Sequence, residues 1–372
     1  MKFGIPKEVK DHEYRIAATP TMVEALIIMG HIVLIQQGAG TKIGFSDQDY
    51  KNVGAHIVPT PEEVYTADVI IKVKEPQPKE YSLLKKGQVL FCFLHLAPDP
   101  MQTEALLKQE VIGISFETVV DNQGGLPLLT PMSEIAGRVG MQAGANALHM
   151  AYGGRGVLLG GVPGVAPGKV VVIGGGVAGT EAAKVAIGLG ADVTILDTSL
   201  TRLRQLDTLF KGALTTLYST PHVIESELMQ ADLAVGAVLI PGKQAPKLVS
   251  EKVVNKMKPG SVIVDIAIDQ GGCFATSRPT THSDPVYVHN GIVHYCVANI
   301  PGACARTATC ALVYGIWPYV MKLADLGYKT ALLNDVLFMQ GLNVFQGKVT
   351  NEHVAQDLGY DYHPAEKVLK AS

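Results

Sequence analysis

At 372 residues the chain is long enough for two domains with large cores, and 47% of its residues are hydrophobic while 17% are charged. Its net charge of -3 gives no electrostatic basis for binding nucleic acid or a membrane surface. No apolar run could span a bilayer, the N-terminus lacks an apolar signal segment and the five cysteines lack CxxC spacing, so we expect a reducing cytoplasm and no membrane partner.

Short apolar runs alternate with helical patterns over residues 1–128, which predicts a doubly wound parallel sheet without a glycine fingerprint. Pro20 and Pro100 mark two helix starts, and Thr21 precedes Glu24 at capping-box spacing. The predicted strands are Lys2–Ile5, Ile32–Gln36, Val69–Val73, Val89–Phe93 and Ile112–Phe116, and the predicted helices are Thr21–Met29 and Met101–Gln109.

A glycine-rich turn follows the β-branched run Val170–Ile173, which is typical of a strand buried on both faces. Gly174 allows the tight turn and Gly176 lets the main chain approach a pyrophosphate. Gly179 lets the next helix pack closely on the strand, and the N-terminus of that helix attracts phosphate. The order of strand, turn and helix predicts a dinucleotide site.

The acid at the end of the second strand bears on the choice of cofactor. Thr180–Leu189 is the predicted helix, and Val193–Leu196 is the strand that ends at Asp197. A carboxylate there accepts from the ribose hydroxyls and repels a 2′-phosphate, which favours NAD over NADP. Arg202 could meet a 2′-phosphate, so the residues alone leave NADP open.

The remaining pattern divides the chain into residues 1–129 with 303–372, a substrate domain, and an inserted dinucleotide domain over 130–302. We therefore expect two Rossmann-like α/β domains and a site in the cleft that separates them. Ser133 is predicted to cap the long helix that opens the insertion, and the tail from Gly359 is polar. Later predicted strands are His222–Ile224, Leu233–Ile240, Val262–Ile266 and Val286–Val288, and later helices are Ala303–Leu323, Thr330–Gln340 and Asn351–Leu358.

Four polar side chains lie where such a site would need them, and each has an ordinary structural alternative. Arg15 could bind a carboxylate or form a surface salt bridge, and Lys74 could bind substrate or end a strand in solvent. His95 could exchange a proton or be a core histidine bonded to a carbonyl. Asp269 could orient ammonium or water, or cap a turn.

Several motifs, which together run from residue 1 to about residue 350, resemble the alanine dehydrogenase family, which is related to the transhydrogenase α subunit. They include Gly-Ile-Pro-Lys-Glu at 4–8, Glu-Tyr-Arg at 13–15, Lys-Val-Lys-Glu-Pro at 72–76, Phe-Leu-His-Leu-Ala at 93–97, Gly-Gly-Gly-Val-Ala-Gly at 174–179, Asp-Ile-Ala-Ile-Asp-Gln-Gly-Gly at 265–272 and Val-Ala-Asn-Ile-Pro-Gly at 297–302. The resemblance implies reversible, NAD-dependent deamination of L-alanine to pyruvate and ammonium by a homohexamer.

The resemblance also implies roles for individual residues. His95 and Asp269 are the expected catalytic residues, and Arg15, Lys74, Met132 and Asn299 are expected to bind substrate. The expected NAD contacts are Ser133, Gly174, Gly176, Val177, Ala178, Gly179, Asp197, Arg202, Ser219, Val238, Leu239, Ile266, Ala267, Ile268, Asp269, Arg278, Val297, Ala298, Asn299 and Ile300.

Two other functions stay open at this point. One is an opine- or saccharopine-type dehydrogenase, which would need a larger pocket, and the other is a non-catalytic, transhydrogenase-like NAD-binding subunit. We expect no metal, because the acid and histidine spaced four apart that some family members carry in the helix near Val320–Leu326 are missing from this sequence.

Overall fold

The computed structural model describes residues 1–238 and 245–372, and these form two compact units. Unit 1 comprises Met1–Met132 with Cys304–Ser372, and unit 2 comprises Ser133–Ala303. The chain thus leaves unit 1, builds unit 2 and returns.

The first segment of unit 1 alternates strands and helices. Its strands are β1 (Lys2–Ile5), β2 (Ile32–Gln36), β3 (His56–Val58), β4 (Val69–Ile71), β5 (Val89–Cys92) and β6 (Ile112–Ser115). Its helices are α1 (Pro20–Ile28), α2 (Asp47–Asn52), α3 (Pro61–Val64) and α4 (Pro100–Lys108).

Helix α5 (Thr130–Ala147) leads into unit 2, which alternates in the same way. Its strands are β7 (Lys169–Ile173), β8 (Asp192–Asp197), β9 (Thr215–Tyr218), β10 (Leu233–Gly236), β11 (Val262–Asp265), β12 (Val286–His289) and β13 (Ile292–Tyr295). Its helices are α6 (Val177–Gly188), α7 (Leu200–Phe210), α8 (Pro221–Gln230) and α9 (Glu251–Val254).

The returning segment completes unit 1. It contains the helices α10 (Ala305–Leu333), α11 (Val336–Met339), α12 (Glu352–Leu358) and α13 (Ala365–Ala371) and the strands β14 (Leu342–Phe345) and β15 (Lys348–Val349). Gly327 interrupts α10 with a φ of 71°. None of the helices that the structure describes combines the length and apolarity that a membrane crossing needs.

The two sheets have the same central topology. The sheet of unit 1 has the order β15-β14-β6-β5-β4-β1-β2-β3, and that of unit 2 has the order β12-β13-β11-β10-β7-β8-β9. Each contains the doubly wound order 3-2-1-4-5 followed by a further parallel strand, which is β6 in unit 1 and β13 in unit 2. Among the named strands of the described residues, the antiparallel pairs lie beyond that strand, at β14 and β15 in unit 1 and at β12 in unit 2. The predicted fold class, two Rossmann-like domains with one inserted into the other, is confirmed.

The apolar runs form strands because both faces of each sheet are covered. In β7, Val170 and Val172 pack in one cluster with alanines of α6, while Val171 and Ile173 pack in another with Ile224 and other residues of α8. Such two-sided burial favours continuous β-branched sequence over alternating sequence.

Several predicted helix boundaries were wrong. Helix α1 begins at Pro20 after Thr19, so Thr21 lies inside the helix and forms no capping box. Helix α5 begins at Thr130, so Ser133 lies in its first turn and does not cap it. Thr330–Gln340 is not one helix, because α10 ends at Leu333 and Asp335 caps α11.

Other corrections concern element type. His222–Ile224 belongs to α8 and not to a strand, because the Thr220 hydroxyl accepts from the Val223 amide and Pro221 opens the helix. Strand β10 ends at Gly236, and Leu239 and Ile240 of the predicted strand lie outside the described residues. The predicted polar tail contains α13, and β3, β9, β13, β14 and β15 were not predicted.

Candidate active site

In unit 1 the carboxyl ends of β5, β4 and β1 lie side by side, because these parallel strands are neighbours. His95 follows β5 and Lys74 follows β4, while Arg15 lies in the segment after β1. The strand order reverses between β1 and β4, and α/β sheets bind ligands outside the carboxyl ends of strands at such a reversal.

Arg15 is not the surface salt bridge that was its ordinary alternative, since only 2% of the residue is exposed. Its Nε and Nη2 atoms donate to the two carboxylate oxygens of Glu13, at 2.7 and 2.5 Å. Its Nη1 atom lies 3.1 Å from the Sδ atom of Met132. Two residues expected to bind substrate, distant in sequence, are therefore in contact, and Glu13 fixes the plane of the guanidinium.

Lys72 is fully buried between two acids. Its Nζ atom lies 3.1 Å from the Glu8 carboxylate and 3.1 Å from that of Glu80. Burial opposes its charge, but the two carboxylates outweigh that effect and raise the pKa of Lys72. One lysine balances only one acid, and burial raises the pKa of Glu8 to about 7 against the opposing attraction of Lys72.

Lys74, two residues on, has a different environment. The residue is 8% exposed, yet no hydrogen bond or ion pair reaches its ammonium from residues 1–238 or 245–372. Burial disfavours the charged form of the adjacent Glu75, but Lys74 and Lys10 together lower the pKa of Glu75 to about 2. His95 also interacts with this carboxylate. Lys74 is thus a largely buried cation that can take an anionic ligand.

His95 has a φ of 48°, a left-handed conformation that costs a residue with a side chain on the order of 1–3 kcal/mol. Glu117, which follows β6, accepts from the His95 amide at 2.6 Å and from the Leu94 amide at 3.2 Å. The imidazole stacks on Phe93, with ring centroids 5.7 Å apart, and its Nδ1 atom lies 3.7 Å from Glu117. Its side chain is 39% exposed, so His95 is not the core histidine that was its alternative.

In unit 2 the glycine-rich turn has the geometry of a pyrophosphate site. Gly174 has a φ of 100°, and a Cβ atom on Gly179 would lie 1.9 Å from the Gly174 carbonyl oxygen. Among residues 1–238 and 245–372, no atom lies within 4 Å of the position that a Cβ of Gly176 would occupy, so these residues leave this main chain open to a ligand. Helix α6 begins at Val177, with Ala178 as its second residue, and the N–H groups of this first turn can donate hydrogen bonds to a phosphate.

Asp197 and Arg202 both hold this turn. Asp197 accepts from the Gly175 amide at 2.8 Å and from the Ser199 amide at 2.8 Å. Arg202 donates to the Gly175 carbonyl at 2.6 Å and to the Thr180 hydroxyl at 2.8 Å. The arginine that could have met a 2′-phosphate is therefore already bonded to the turn.

Asp269 lies in a short 3-10 turn, Ile266–Gln270, directly after β11. It is exposed, and its carboxylate accepts from the Asn299 amide at 3.3 Å. Asn299 has a φ of 71°, and its carbonyl lies 3.0 Å from Nε2 of His282. The turns after β11 and β13 thus bring the expected catalytic Asp269 and the expected pocket residue Asn299 together.

The other expected cofactor residues lie around the same sheet edge of unit 2. Val297, Ala298 and Ile300 flank Asn299, and Ile266, Ala267 and Ile268 precede Asp269. The Ser219 amide donates to the Asp197 carbonyl at 2.9 Å, and Val238 lies beside Gly174.

Three further expected contacts are less direct. The Arg278 guanidinium lies 4.1 Å from the centre of the Tyr287 ring. Ser133 is one helical turn before Gly137, whose added Cβ would meet the Ala178 carbonyl at 2.2 Å, so it lies on the face of α5 that packs on α6. Leu239 lies outside the described residues.

Comparison with known proteins places this geometry in a family. Residues 4–136 match the alanine dehydrogenase/PNT N-terminal domain, and residues 140–352 match the corresponding C-terminal domain. The chain belongs to the alanine dehydrogenase/PNT family. It is 53% identical to alanine dehydrogenase from Methanococcus maripaludis over 99% of this chain and 100% of that protein.

Two solved structures resemble this chain to different degrees. An L-alanine dehydrogenase superposes with a TM-score of 0.92 at 50% identity and covers 96% of this chain and 99% of that one. A transhydrogenase from Sinorhizobium meliloti, at 24% identity and a TM-score of 0.79 over 95% of this chain and 99% of that one, shares the fold.

Sequence reasoning missed the acids that hold the cations and the histidine of this family member. Glu13 could have been found, because it lies in the same motif as Arg15. Glu117 follows a predicted strand directly, which is a usable signal in a parallel sheet. Glu80 and His282 gave no signal, since no predicted element or quoted motif contains them, although they lie only 8 and 17 residues from Lys72 and Asn299.

Proposed function

We propose that this chain is an NAD-dependent L-alanine dehydrogenase. It interconverts L-alanine, NAD⁺ and water with pyruvate, ammonium, NADH and a proton. The observation that carries the proposal is the identity of about half of all residues, over the whole chain, with alanine dehydrogenases. The site geometry supports it with a buried lysine, a paired arginine and a half-buried histidine at one sheet edge of unit 1.

The residues of unit 2 fit NAD. The open main chain at Gly176 and the N-terminus of α6 suit the pyrophosphate, and Asp197 at the end of β8 suits the ribose hydroxyls. Arg202 supports the turn and has two of its donors bonded to it, which favours NAD over NADP. When bound, the nicotinamide takes up or supplies the hydride.

Two cations would hold the substrate acid. Arg15 would bind the carboxylate in an orientation fixed by Glu13, with Met132 beside it. Lys74, whose ammonium forms no hydrogen bond or ion pair with residues 1–238 or 245–372, would contact the carboxylate and polarise the reacting carbonyl oxygen. Because the Lys74 ammonium forms no ion pair within these residues, substrate could bind to it without displacing one.

Two groups would handle charge and protons. His95 would give a proton to the departing water when pyruvate is aminated, and would accept it in the reverse reaction. Asp269 would stabilise the cationic imine, and the Asn299 amide holds its carboxylate in place.

The decisive test is NADH consumption with pyruvate, with and without ammonium. We expect oxidation that depends on ammonium and, in reverse, NAD⁺ reduction that depends on L-alanine. Oxidation with pyruvate plus an amino acid, but not with ammonium, would favour an opine- or saccharopine-type dehydrogenase. NADH binding without turnover under either condition would favour the non-catalytic subunit.

We further propose a homohexamer in the cytoplasm. The low fraction of charged residues supports a large subunit interface, and Met150, Leu158 and Val165 of unit 2 expose apolar side chains in the single chain. Light scattering should give six times the mass of one chain, whereas the mass of a single chain would contradict the proposal.

A further inference from the structure

We propose that Glu117 is a positioning residue for proton transfer, which orients His95 and presents its Nε2 atom to the substrate. The inference rests on the proposed function, in which His95 exchanges the proton. Glu117 itself is not a substrate contact in this proposal. It acts through the backbone and the ring of His95.

The sheet brings Glu117 to His95. Strands β5 and β6 pair in parallel, with Cys92 opposite Ser115, so the segments that follow them leave the sheet at the same edge. Glu117 lies two residues past β6 and His95 three residues past β5. Its side chain is 16% exposed against 39% for His95, so the carboxylate lies behind the imidazole and the imidazole faces outward.

The carboxylate supports a backbone conformation that His95 rarely adopts by itself. Its Oε1 atom accepts from the amides of Leu94 and His95 at 3.2 and 2.6 Å, and consecutive N–H groups that converge on one anion form a stable concavity. The left-handed φ of 48° at His95 comes directly after the second of these amides, so the carboxylate holds the peptide from which that conformation begins.

The same oxygen orients the imidazole. It lies 3.7 Å from Nδ1, while the ring lies parallel to Phe93 with an interplanar angle of 5°. A carboxylate beside one ring nitrogen determines which nitrogen is left to exchange a proton. With Glu117 on the Nδ1 side and Phe93 against the ring face, Nε2 is the nitrogen that remains for the substrate.

Two variants separate the backbone effect from the charge. Glu117→Gln keeps a side-chain oxygen that can accept from the two amides but removes the negative charge beside Nδ1. Glu117→Ala removes both. Glu104→Gln is the matched control, since Glu104 is an exposed acid on α4 of the same unit.

The test is a double-mutant cycle with His95→Ala. We expect Glu117→Gln to lower kcat about tenfold or more and to change KM for pyruvate by less than about twofold, because the interaction serves proton transfer. In the His95→Ala background the same change should cost less than about twofold, since its partner is absent. An equal loss in both backgrounds, or a kcat equal to that of the Glu104→Gln control, would overturn the inference.

A second measurement does not depend on turnover. The rate at which diethyl pyrocarbonate modifies His95, followed by peptide mapping at about pH 8 where histidines are neutral, reports the reactivity of the ring nitrogen. We expect a slower rate at His95 in Glu117→Gln and an unchanged rate at the other histidines. If the wild type lacks ammonium-dependent activity, the proposed function fails, and this rate still decides the role of Glu117. An unchanged rate at His95 would overturn it.

Discussion

Units 1 and 2 share the central strand order 3-2-1-4-5, but they present different chemical groups at the edge where that order reverses. In unit 2 the edge where the order reverses presents main chain, with an open Gly176 and the first turn of α6, and its charged residues Asp197 and Arg202 are bonded to the turn itself. In unit 1 the corresponding edge presents buried side-chain charges. The fold therefore supplies a place for a ligand twice, and the residues after the strands decide which ligand it takes.

The contrast is sharpest within one tripeptide of unit 1. Lys72 and Lys74 alternate along the same strand end, yet two acids contact the ammonium of the first. Among the described residues no acid forms an ion pair with the second, and Glu75 interacts with it only at longer range. Removing one member of a buried ion pair leaves the other charge buried without compensation, whereas a cation that forms no ion pair is available to an anionic ligand. Burial alone does not distinguish the two lysines.

The largest expected effect tests this difference directly. Lys72→Met leaves two buried carboxylates without a cation and should lower the free energy of unfolding by about 3–5 kcal/mol. Lys74→Met should leave the stability nearly unchanged but lower kcat/KM for pyruvate by about 100-fold, the scale for loss of one charge-stabilising donor. Urea titration and steady-state kinetics of both variants check the pair. Equal stabilities for the two variants would show that the lysines do not differ in this way.

The next effect compares one residue from each unit. His95→Ala and Asp269→Ala should each lower kcat about 100-fold or more, because each removes a group that handles protons or charge in the reaction. Circular dichroism should show intact folds, since both side chains are accessible. Turnover at the wild-type rate in either variant would remove that residue from the mechanism.

A smaller effect concerns the cofactor edge of unit 2. Asp197→Ala should reduce the preference for NAD over NADP about tenfold to a hundredfold, as expected for loss of a charged hydrogen bond of about 1.5–3 kcal/mol. Asp197→Asn is the control, because it keeps an acceptor for the Gly175 amide while it removes the charge. The ratio of kcat/KM for the two cofactors is the measurement, and an unchanged ratio in both variants would argue against the ribose role.

The smallest effect is a difference in pH dependence between the units. Glu8 in unit 1 has a pKa raised from 4.5 to about 7, chiefly by burial, so its contribution to stability is present below pH 4.5 and is lost as the pH rises towards 7. Burial in unit 2 lowers the pKa of His294 from 6.5 to about 4, so its contribution is present above pH 6.5 and is lost as the pH falls towards 4.

Melting temperatures across this pH range test the opposite signs. In Glu8→Gln the melting temperature should rise more steeply with pH than in the wild type, because the variant lacks the contribution of Glu8 to stability, which decreases as the pH rises. In His294→Gln it should rise less steeply. Identical slopes in all three proteins would show that neither group titrates as its burial implies.

The sequence by itself determined the two-domain α/β plan, the dinucleotide turn and the family. Continuous β-branched runs, proline helix starts and a glycine pattern are local signals, and the physics behind them acts within a few residues. The same is true of the motifs that contain Arg15, Lys74 and His95. A local signal was misread in the segment His222–Ile224, which was predicted as a strand but lies in α8, behind the cap Thr220 and the helix-opening Pro221.

Only the tertiary structure decided which charges are paired. Glu8, Glu80 and Lys72 are separated by up to 72 residues, and Glu117 reaches His95 only because β5 and β6 are adjacent in the sheet. Whether a side chain is charged depends on its burial and on the nearest opposite charge, and the folded structure sets both. The sequence could therefore name the lysines, the arginine and the histidine, but it could not say which were neutralised and which were left for a ligand.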